Sequence, residues 1–389
     1  MSIPNPFRYG TGIFPTYFAG RDREKRLFES RITLAIESNN IQHMAIYGDW
    51  GIGKTSLIKY LSDFAKERGC IPIRVTFYKK TWLSTEFVTF LLRQFRFSIP
   101  EGALKKFLTI VKKLKLPLVD VDIEKIKSLE QLDPQITLVQ TLSKAWDDLK
   151  SSAISPPLIV FFLDDVQLAS TEETLYILRN TFMELLDIEC KYMLVVTGTS
   201  DLFSMFDDMA APLTRFFNPT ELKRLSVEDA RDAIIKPLEQ SSIKFSDDVV
   251  DKILEISEGH PYYIQLLCYY LYDNAMNNVV DMNIYNSSFY LALNDMAQRM
   301  FDRIYNSASD SARQILGILA KLDKSLSYSE ILNESENIGL KKGSVGKLLE
   351  RLKEKEIVKQ IESGEDKGKY LLFDKFFKEY VRLEKLPTF

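Results

Sequence analysis

Cysteine is scarce in this 389-residue chain: Cys70, Cys190 and Cys268 are scattered, odd in number and without Cys-x-x-Cys spacing. That excludes a disulfide scaffold and fits a reducing, cytoplasmic setting. Histidine is scarcer still, with His43 and His260 alone. A zinc site or a Ser-His-Asp triad would have to be built on one of these two, which argues against both chemistries. No apolar run approaches the roughly 18 residues needed to span a bilayer, and the N-terminus carries no signal-peptide pattern. Nor does one charge dominate. Lys plus Arg total 51 against 54 Asp plus Glu, a net −3, which excludes a bulk polycation but leaves room for local basic patches. Internal repeats and low-complexity tracts are also lacking.

What is present is the composition of a folded globular chain, 46% hydrophobic and 27% charged. At roughly 150 residues per domain the length suggests two or three domains. Residues 1–225 alternate short apolar runs with amphipathic stretches. His43–Tyr47, Pro72–Phe77, Leu158–Leu163 and Tyr192–Thr197 read as strands buried on both faces, and Glu221–Leu225 reads as a fifth, edge strand. That alternation predicts an α/β core with a parallel sheet. Residues 226–300 read as an all-α lid. Ser226 with Asp229 opens one helix, Ser246 caps a second that ends at Gly259, and Pro261 starts a third.

Residues 301–389 read as three helices and a hairpin, the winged-helix order. Ser309–Leu322 has helical periodicity, Ser327 to Glu330 is a capping box, and Val345, Leu348, Leu349 and Leu352 share one helical face. Ile357–Ile361 and Tyr370–Phe373 then flank a polar tip. Between the first strands, Ala103–Leu116 is basic and amphipathic. It reads either as a solvated helix face or as a partner-binding helix.

The chemistry concentrates in Gly48-Asp49-Trp50-Gly51-Ile52-Gly53-Lys54-Thr55, which fits G-x-x-x-x-G-K-[ST] between a strand ending at Tyr47 and a helix opening at Ser56. Glycines let the backbone curl so that successive N–H groups face phosphate oxygens. Lys54 reaches the β- and γ-phosphates, the helix start adds positive potential, and the Thr55 hydroxyl holds magnesium. The run Val160 to Asp165 supplies the matching acids at the carboxyl end of a buried strand. Asp164 is the expected magnesium-orienting carboxylate and Asp165 the residue that polarises the attacking water. On the next strand, Thr197, ahead of Thr199, is the candidate for a hydrogen bond to the γ-phosphate or lytic water; a threonine capping a turn is the alternative. Arg215 reads equally as a finger toward the nucleotide of a neighbouring subunit and as half of an internal ion pair.

Together these residues resemble the AAA+ superfamily of P-loop ATPases. Within it they are similar to archaeal-type ATPases related to the signalling STAND group, relatives of the replication-initiator ATPases. Phe18-Ala19-Gly20-Arg21-Asp22-Arg23-Glu24 looks like that group's F-x-G-R-[ED]-x-E segment, and Gly259-His260-Pro261 like its lid motif. Tyr370 to Val381 looks like the end of archaeal ATPases of this kind. The resemblance implies ATP and Mg2+ as cofactors, and Phe18 and Arg21 against the base. His260 with Pro261 would approach the phosphates, unless His260 is simply a packed helix-start residue. Two departures stand out. Asp165 occupies the place of the usual glutamate and is one methylene shorter, which implies slow turnover. Tyr262 stands about where initiators carry a lid arginine, and no arginine occurs between Gly259 and Asp273.

The expected function is therefore a slowly hydrolysing, nucleotide-dependent switch. Two alternatives remain open: an ATP-regulated, initiator-like DNA-binding protein, and a nucleotide-bound scaffold that does not hydrolyse. Residues 341–359 hold seven bases and three acids, a local +4 in a chain of net −3. Ser344, Lys347, Arg351 and Lys355 form one stripe there. Lys347 and Arg351 are the candidates for double-stranded DNA. The mixed tip, Glu365 and Asp366 beside Lys367 and Lys369, suits a protein partner equally. A second copy of the chain is a further expected partner.

Overall fold

A computed structural model describes residues 4–10, 12–80, 82–99, 133–200 and 213–384; the basic stretch Ala103–Leu116 lies outside the described residues. The chain divides into two compact units, Gly20–Lys223 and a second made of Met1–Ala19 with Arg224–Phe389.

The first unit is built on β1 (His43–Tyr47), β2 (Ile71–Thr76), β3 (Ile159–Asp164), β4 (Tyr192–Gly198) and β5 (Phe217–Glu221). All pair in parallel in the order β2-β3-β4-β1-β5. Helices α1 (Asp22–Ser38), α2 (Lys54–Glu67), α3 (Ser84–Ser98), α4 (Pro134–Lys150) and α5 (Glu172–Asp187) accompany them, with a short α6 (Leu213–Phe216) before the last strand. Adjacent residues of a strand face opposite sides, and β3 shows both layers. Phe162 packs on Phe28 of α1 at 5.9 Å between ring centres. Phe161 packs on Phe95 of α3 and Phe182 of α5 at 5.9 and 5.7 Å. Every residue of β3 and β4 is buried, as a sheet covered on both faces requires.

Four strands fall within one residue or so of their expected positions. The fifth does not: the expected strand is Glu221–Leu225, and β5 instead occupies Phe217–Glu221. Phe217 and Thr220 supply its buried positions, and Pro219 is tolerated because an edge strand has one unpaired side. The Leu222 N–H closes the pairing on the Tyr47 carbonyl at 2.7 Å.

The second unit is helical apart from short pairings. It contains α7 (Val227–Ile235), α8 (Asp247–Ser257), α9 (Pro261–Asp273), α10 (Met282–Met296) and α11 (Asp302–Asn306), joined to α12 (Asp310–Lys321), α13 (Tyr328–Asn337) and α14 (Lys342–Glu354). An antiparallel hairpin, β8 (Val358–Gln360) with β9 (Tyr370–Leu372), and α15 (Lys375–Glu384) complete it; β6 (Lys244–Phe245) and β7 (Val279–Val280) are a two-residue pairing. Local signals act as expected. Ser226 accepts from the Asp229 N–H, Ser327 and Glu330 form the capping box, and Val345, Leu348, Leu349 and Leu352 are the buried face of α14. Ser246 begins α8, but its hydroxyl bonds the Asp248 carboxylate and the Val280 carbonyl rather than the helix amides.

Residue 300, the expected boundary between lid and C-terminal region, lies within one continuous helical run. A π turn, Ala297–Phe301, continues α10 into α11. One apolar core joins the 226–300 helices to the C-terminal elements: Tyr263 stacks on Phe376 at 4.9 Å, and Phe301 meets Phe377 and Tyr380 at 5.2 and 5.4 Å. The N-terminal segment also belongs here and not with the sheet. Phe7 is 1% exposed against Phe245 and Tyr272, Asn5 bonds the Tyr269 carbonyl, and the Arg8 N–H bonds Gln265.

Candidate nucleotide site

The site grows from the end of β1. Gly48 donates its N–H to the Gly198 carbonyl at 3.3 Å, anchoring the loop between β1 and β4. A side chain is excluded at Gly48, since a Cβ would lie 2.6 Å from the Leu222 carbonyl oxygen. The chain then turns through Gly51 and Gly53 at φ 72° and 100°, the left-handed region where glycine is unstrained. Gly53 caps α2, whose first residues are Lys54, Thr55 and Ser56. Unpaired N–H groups at such a helix start, together with its dipole, form an anion-accepting hollow. Asp49 and Trp50 are exposed in the loop, whereas Ile52 is buried beneath it.

Lys54 folds back onto this loop. Its ammonium donates to the Gly48 and Asp49 carbonyls at 2.7 and 2.8 Å. Burial lowers its pKa, while Asp165, Asp164 and Asp49 favour the charged form. A buried cation held by neutral carbonyls beside two acids is a ready counter-charge for an anionic ligand.

Parallel register brings the acids to this place. Asp164 ends β3 one position beyond the Leu163–Val196 pair, so it neighbours Thr197 of β4. The Thr197 hydroxyl donates to Asp164 Oδ1 at 2.5 Å and accepts the Asp165 N–H at 3.1 Å. The Thr55 side chain also lies near enough to Asp164 to favour its charged form. It is 3% exposed, and burial raises its pKa against the lowering effect of the two hydroxyls. Two hydroxyls, two carboxylates and an ammonium thus meet at the loop. The oxygens of Thr55 and Asp164 are hard donors of the kind magnesium takes.

Asp165 sits in left-handed backbone, φ 56°, at the start of a short 3-10 turn, Val166–Leu168. Gln167 on that turn donates its amide to Asp165 Oδ1 at 3.1 Å, and its own carbonyl oxygen is buried without a partner among the described residues. Sequence reasoning missed Gln167; the signal was a polar residue interrupting Val166 and Leu168.

The remaining expected residues separate between the units. Arg21 lies in the first, where its guanidinium bonds two main-chain carbonyls. Arg215, also there, is exposed and forms no ion pair among the described residues. Phe18, His260 and Pro261 belong to the second unit. Phe18 stacks on Phe14 at 5.5 Å. His260 is the buried N-cap of α9, stacked on Tyr263 at 4.2 Å, with Pro261 as the first helical residue. The other histidine, His43, is an interior acceptor on β1. Its Nδ1 takes the Leu194 N–H at 3.0 Å, and burial pushes its pKa down to about 3, so it stays neutral.

Comparison with solved structures agrees with this architecture. A Walker-type ATPase of Pyrococcus abyssi superposes with a TM-score of 0.57 at 14% identity, over 94% of this chain and 96% of that one. The Cdc6p protein of Pyrobaculum aerophilum gives 0.49 at 11% identity, with 96% and 95% covered. The Orc1 protein of Aeropyrum pernix, solved in complex with DNA, gives 0.45 at 16%, with 94% and 93% covered. The first of these shares the fold of this chain. Comparison with curated protein sequences returns no match. The sequence model described as novel STAND NTPase 1 matches residues 14–365, most of the chain. With that match and a parallel five-stranded core carrying the Gly48–Thr55 loop, the chain belongs to the novel STAND NTPase 1 family and has a P-loop NTPase fold.

Proposed function

We propose that this protein binds MgATP in the Gly48–Ser56 loop and hydrolyses it slowly, as a switch between two conformations. The observation that carries the reading is the Thr197 hydroxyl bonded to both Asp164 and Asp165, beside Thr55 and Lys54 of the loop. Loop amides and Lys54 hold the phosphates, which requires the ammonium to exchange the Gly48 and Asp49 carbonyls for phosphate oxygens. Thr55 and Asp164 hold the magnesium, which when bound neutralises phosphate charge. Asp165 orients the water. Its short side chain is tied to Gln167, so it reaches the water less readily than a glutamate would, and turnover is slow. A switch needs only that one conformation bind ATP more tightly than the other.

The test is phosphate release by purified protein, with Lys54→Ala and Asp165→Asn beside it. Weak release by the wild type, lost in both variants, is expected. Equal release from all three would overturn the assignment. No release by a wild type that does bind ATP would favour the non-hydrolysing scaffold.

A second reading, binding of double-stranded DNA, is favoured by one observation. Lys347 and Arg351 are exposed on α14 and form no ion pair among the described residues, unlike Lys342 and Lys353, which pair with Glu336 and Glu350. Duplex affinity that falls steeply with salt and drops on replacing both residues by alanine would support it; unchanged affinity would sink it. Arg215 is proposed as a finger reaching a second copy of the chain. Mixing Arg215→Ala and Lys54→Ala subunits tests that role, and no change in release on mixing would remove it.

A further inference from the structure

The chain passes between its two units twice, after Ala19 and after Lys223. Arg21 bears on both passages. It stands two residues past the first, in left-handed backbone with φ 68°, as the N-cap of α1. Its guanidinium, 9% exposed as a residue, donates from Nη1 to the Lys223 carbonyl at 2.6 Å and from Nη2 to the Ile52 carbonyl at 2.8 Å. Lys223 is the last residue before the second passage, and Ile52 lies within the phosphate loop.

The Ile52 bond has a direct consequence for anion binding. The peptide it fixes joins Ile52 to Gly53, whose N–H opens the run of amides at the start of α2. Gly53 has φ 100°, and a Cβ added there would meet nothing within 4 Å. With no Cβ at Gly53, that peptide has the conformational freedom to rotate. Rotated, it would turn the Ile52 oxygen toward the phosphates and take the Gly53 N–H away, replacing a donor with a repelling acceptor. A charge-assisted bond from a buried guanidinium holds the oxygen out.

We infer that Arg21 is a positioning residue that locks the Ile52–Gly53 peptide in its anion-accepting orientation. Its second bond makes that lock depend on where the chain stands at Lys223. The inference rests on the nucleotide reading of the loop. By linkage the dependence runs both ways: nucleotide in the loop holds Lys223 in place, and a shift at Lys223 weakens nucleotide binding.

Hydrogen exchange and calorimetry on the full chain test this, using wild type, Arg21→Ala and Arg21→Lys with MgATP. In the wild type, saturating MgATP should slow exchange in the loop peptide 48–54 and in peptide 221–226. In Arg21→Ala the Kd should rise roughly tenfold or more. At saturation the loop should still be protected while 221–226 no longer responds. Low-millimolar guanidinium chloride should restore affinity to this variant, and sodium chloride of equal concentration should not. Arg21→Lys, which has a single ammonium and no fork, should keep most of the affinity and lose the 221–226 response; it carries the test if the alanine variant fails to fold. A folded Arg21→Ala variant with wild-type Kd, or a 221–226 response equal to wild type in either variant, overturns the inference. Absence of ATP uptake by the wild type itself would instead overturn the nucleotide reading beneath it.

Discussion

Thr197 and Asp164 are joined across two neighbouring parallel strands by a hydroxyl-to-carboxylate bond of 2.5 Å, and both residues are buried. The same hydroxyl accepts the Asp165 N–H, so one oxygen fixes both acids of the pair. Its single proton is committed to Asp164. A bond donated by Thr197 to phosphate or water would require that commitment to be released.

Thr197→Val keeps the shape and removes the hydroxyl. It leaves a buried carboxylate oxygen and a backbone N–H each short of a partner, a loss of about 1–3 kcal/mol of stability. Phosphate release should fall at least tenfold and require more magnesium, while ATP affinity changes little. Thr197→Ser should stay near wild type. Release by the valine variant equal to wild type would show that the hydroxyl does not set the acids.

Lys54→Ala removes the donor shared by the Gly48 and Asp49 carbonyls as well as the charge facing the phosphates. A bond to a charged group contributes about 1.5–3 kcal/mol, so affinity for ATP should fall roughly 10- to 100-fold by calorimetry. An unchanged Kd would mean that the ammonium stays on the loop carbonyls when nucleotide binds.

Two glycines are held by close approach, one in each unit. A Cβ at Gly48 would lie 2.6 Å from the Leu222 oxygen, and one at Gly259 2.3 Å from the Leu225 oxygen, backbone atoms in both cases. Gly48→Ala and Gly259→Ala should each destabilise by roughly 1–3 kcal/mol, since a neighbouring strand or turn must move. Thermal unfolding measures this. Melting temperatures at the wild-type value would mean that these backbones separate freely.

Asp374 gives a pH dependence of definite sign. It is buried, accepts from the Tyr263 hydroxyl and the Phe377 N–H, and is pushed by burial from 3.8 up to about 6. Between those values the folded state holds a proton that the unfolded state has lost. Its contribution to stability is therefore greatest below pH 4 and declines as pH rises through 6. Holding that proton over the whole interval amounts to roughly 3 kcal/mol. Asp374→Asn stays neutral throughout, so its stability relative to wild type should rise between pH 4 and pH 6.5. A constant difference across that range would show that Asp374 does not titrate there.

Much of the site is legible in the sequence because it is local. The phosphate loop is eight consecutive residues, Asp164 and Asp165 are adjacent, and strand ends follow from short apolar runs closed by polar residues. The same holds for Ser226, Ser327 and the buried face of α14, where a cap or a helical period lies within one turn or a few.

Other features were settled by residues distant in sequence, where no local pattern reaches. Arg21 meets Lys223 across 202 positions, Tyr263 meets Asp374 across 111, and Asn5 meets Tyr269 across 264. Composition and periodicity determine which segments are helix or strand and which loop can hold phosphate. Tertiary structure alone decided that the N-terminal segment packs with the helical unit, that the fifth strand ends at Glu221, and that Thr197 gives its proton to Asp164. Those choices depend on which buried donors and acceptors can be satisfied together, and that pairing exists only once the chain has folded.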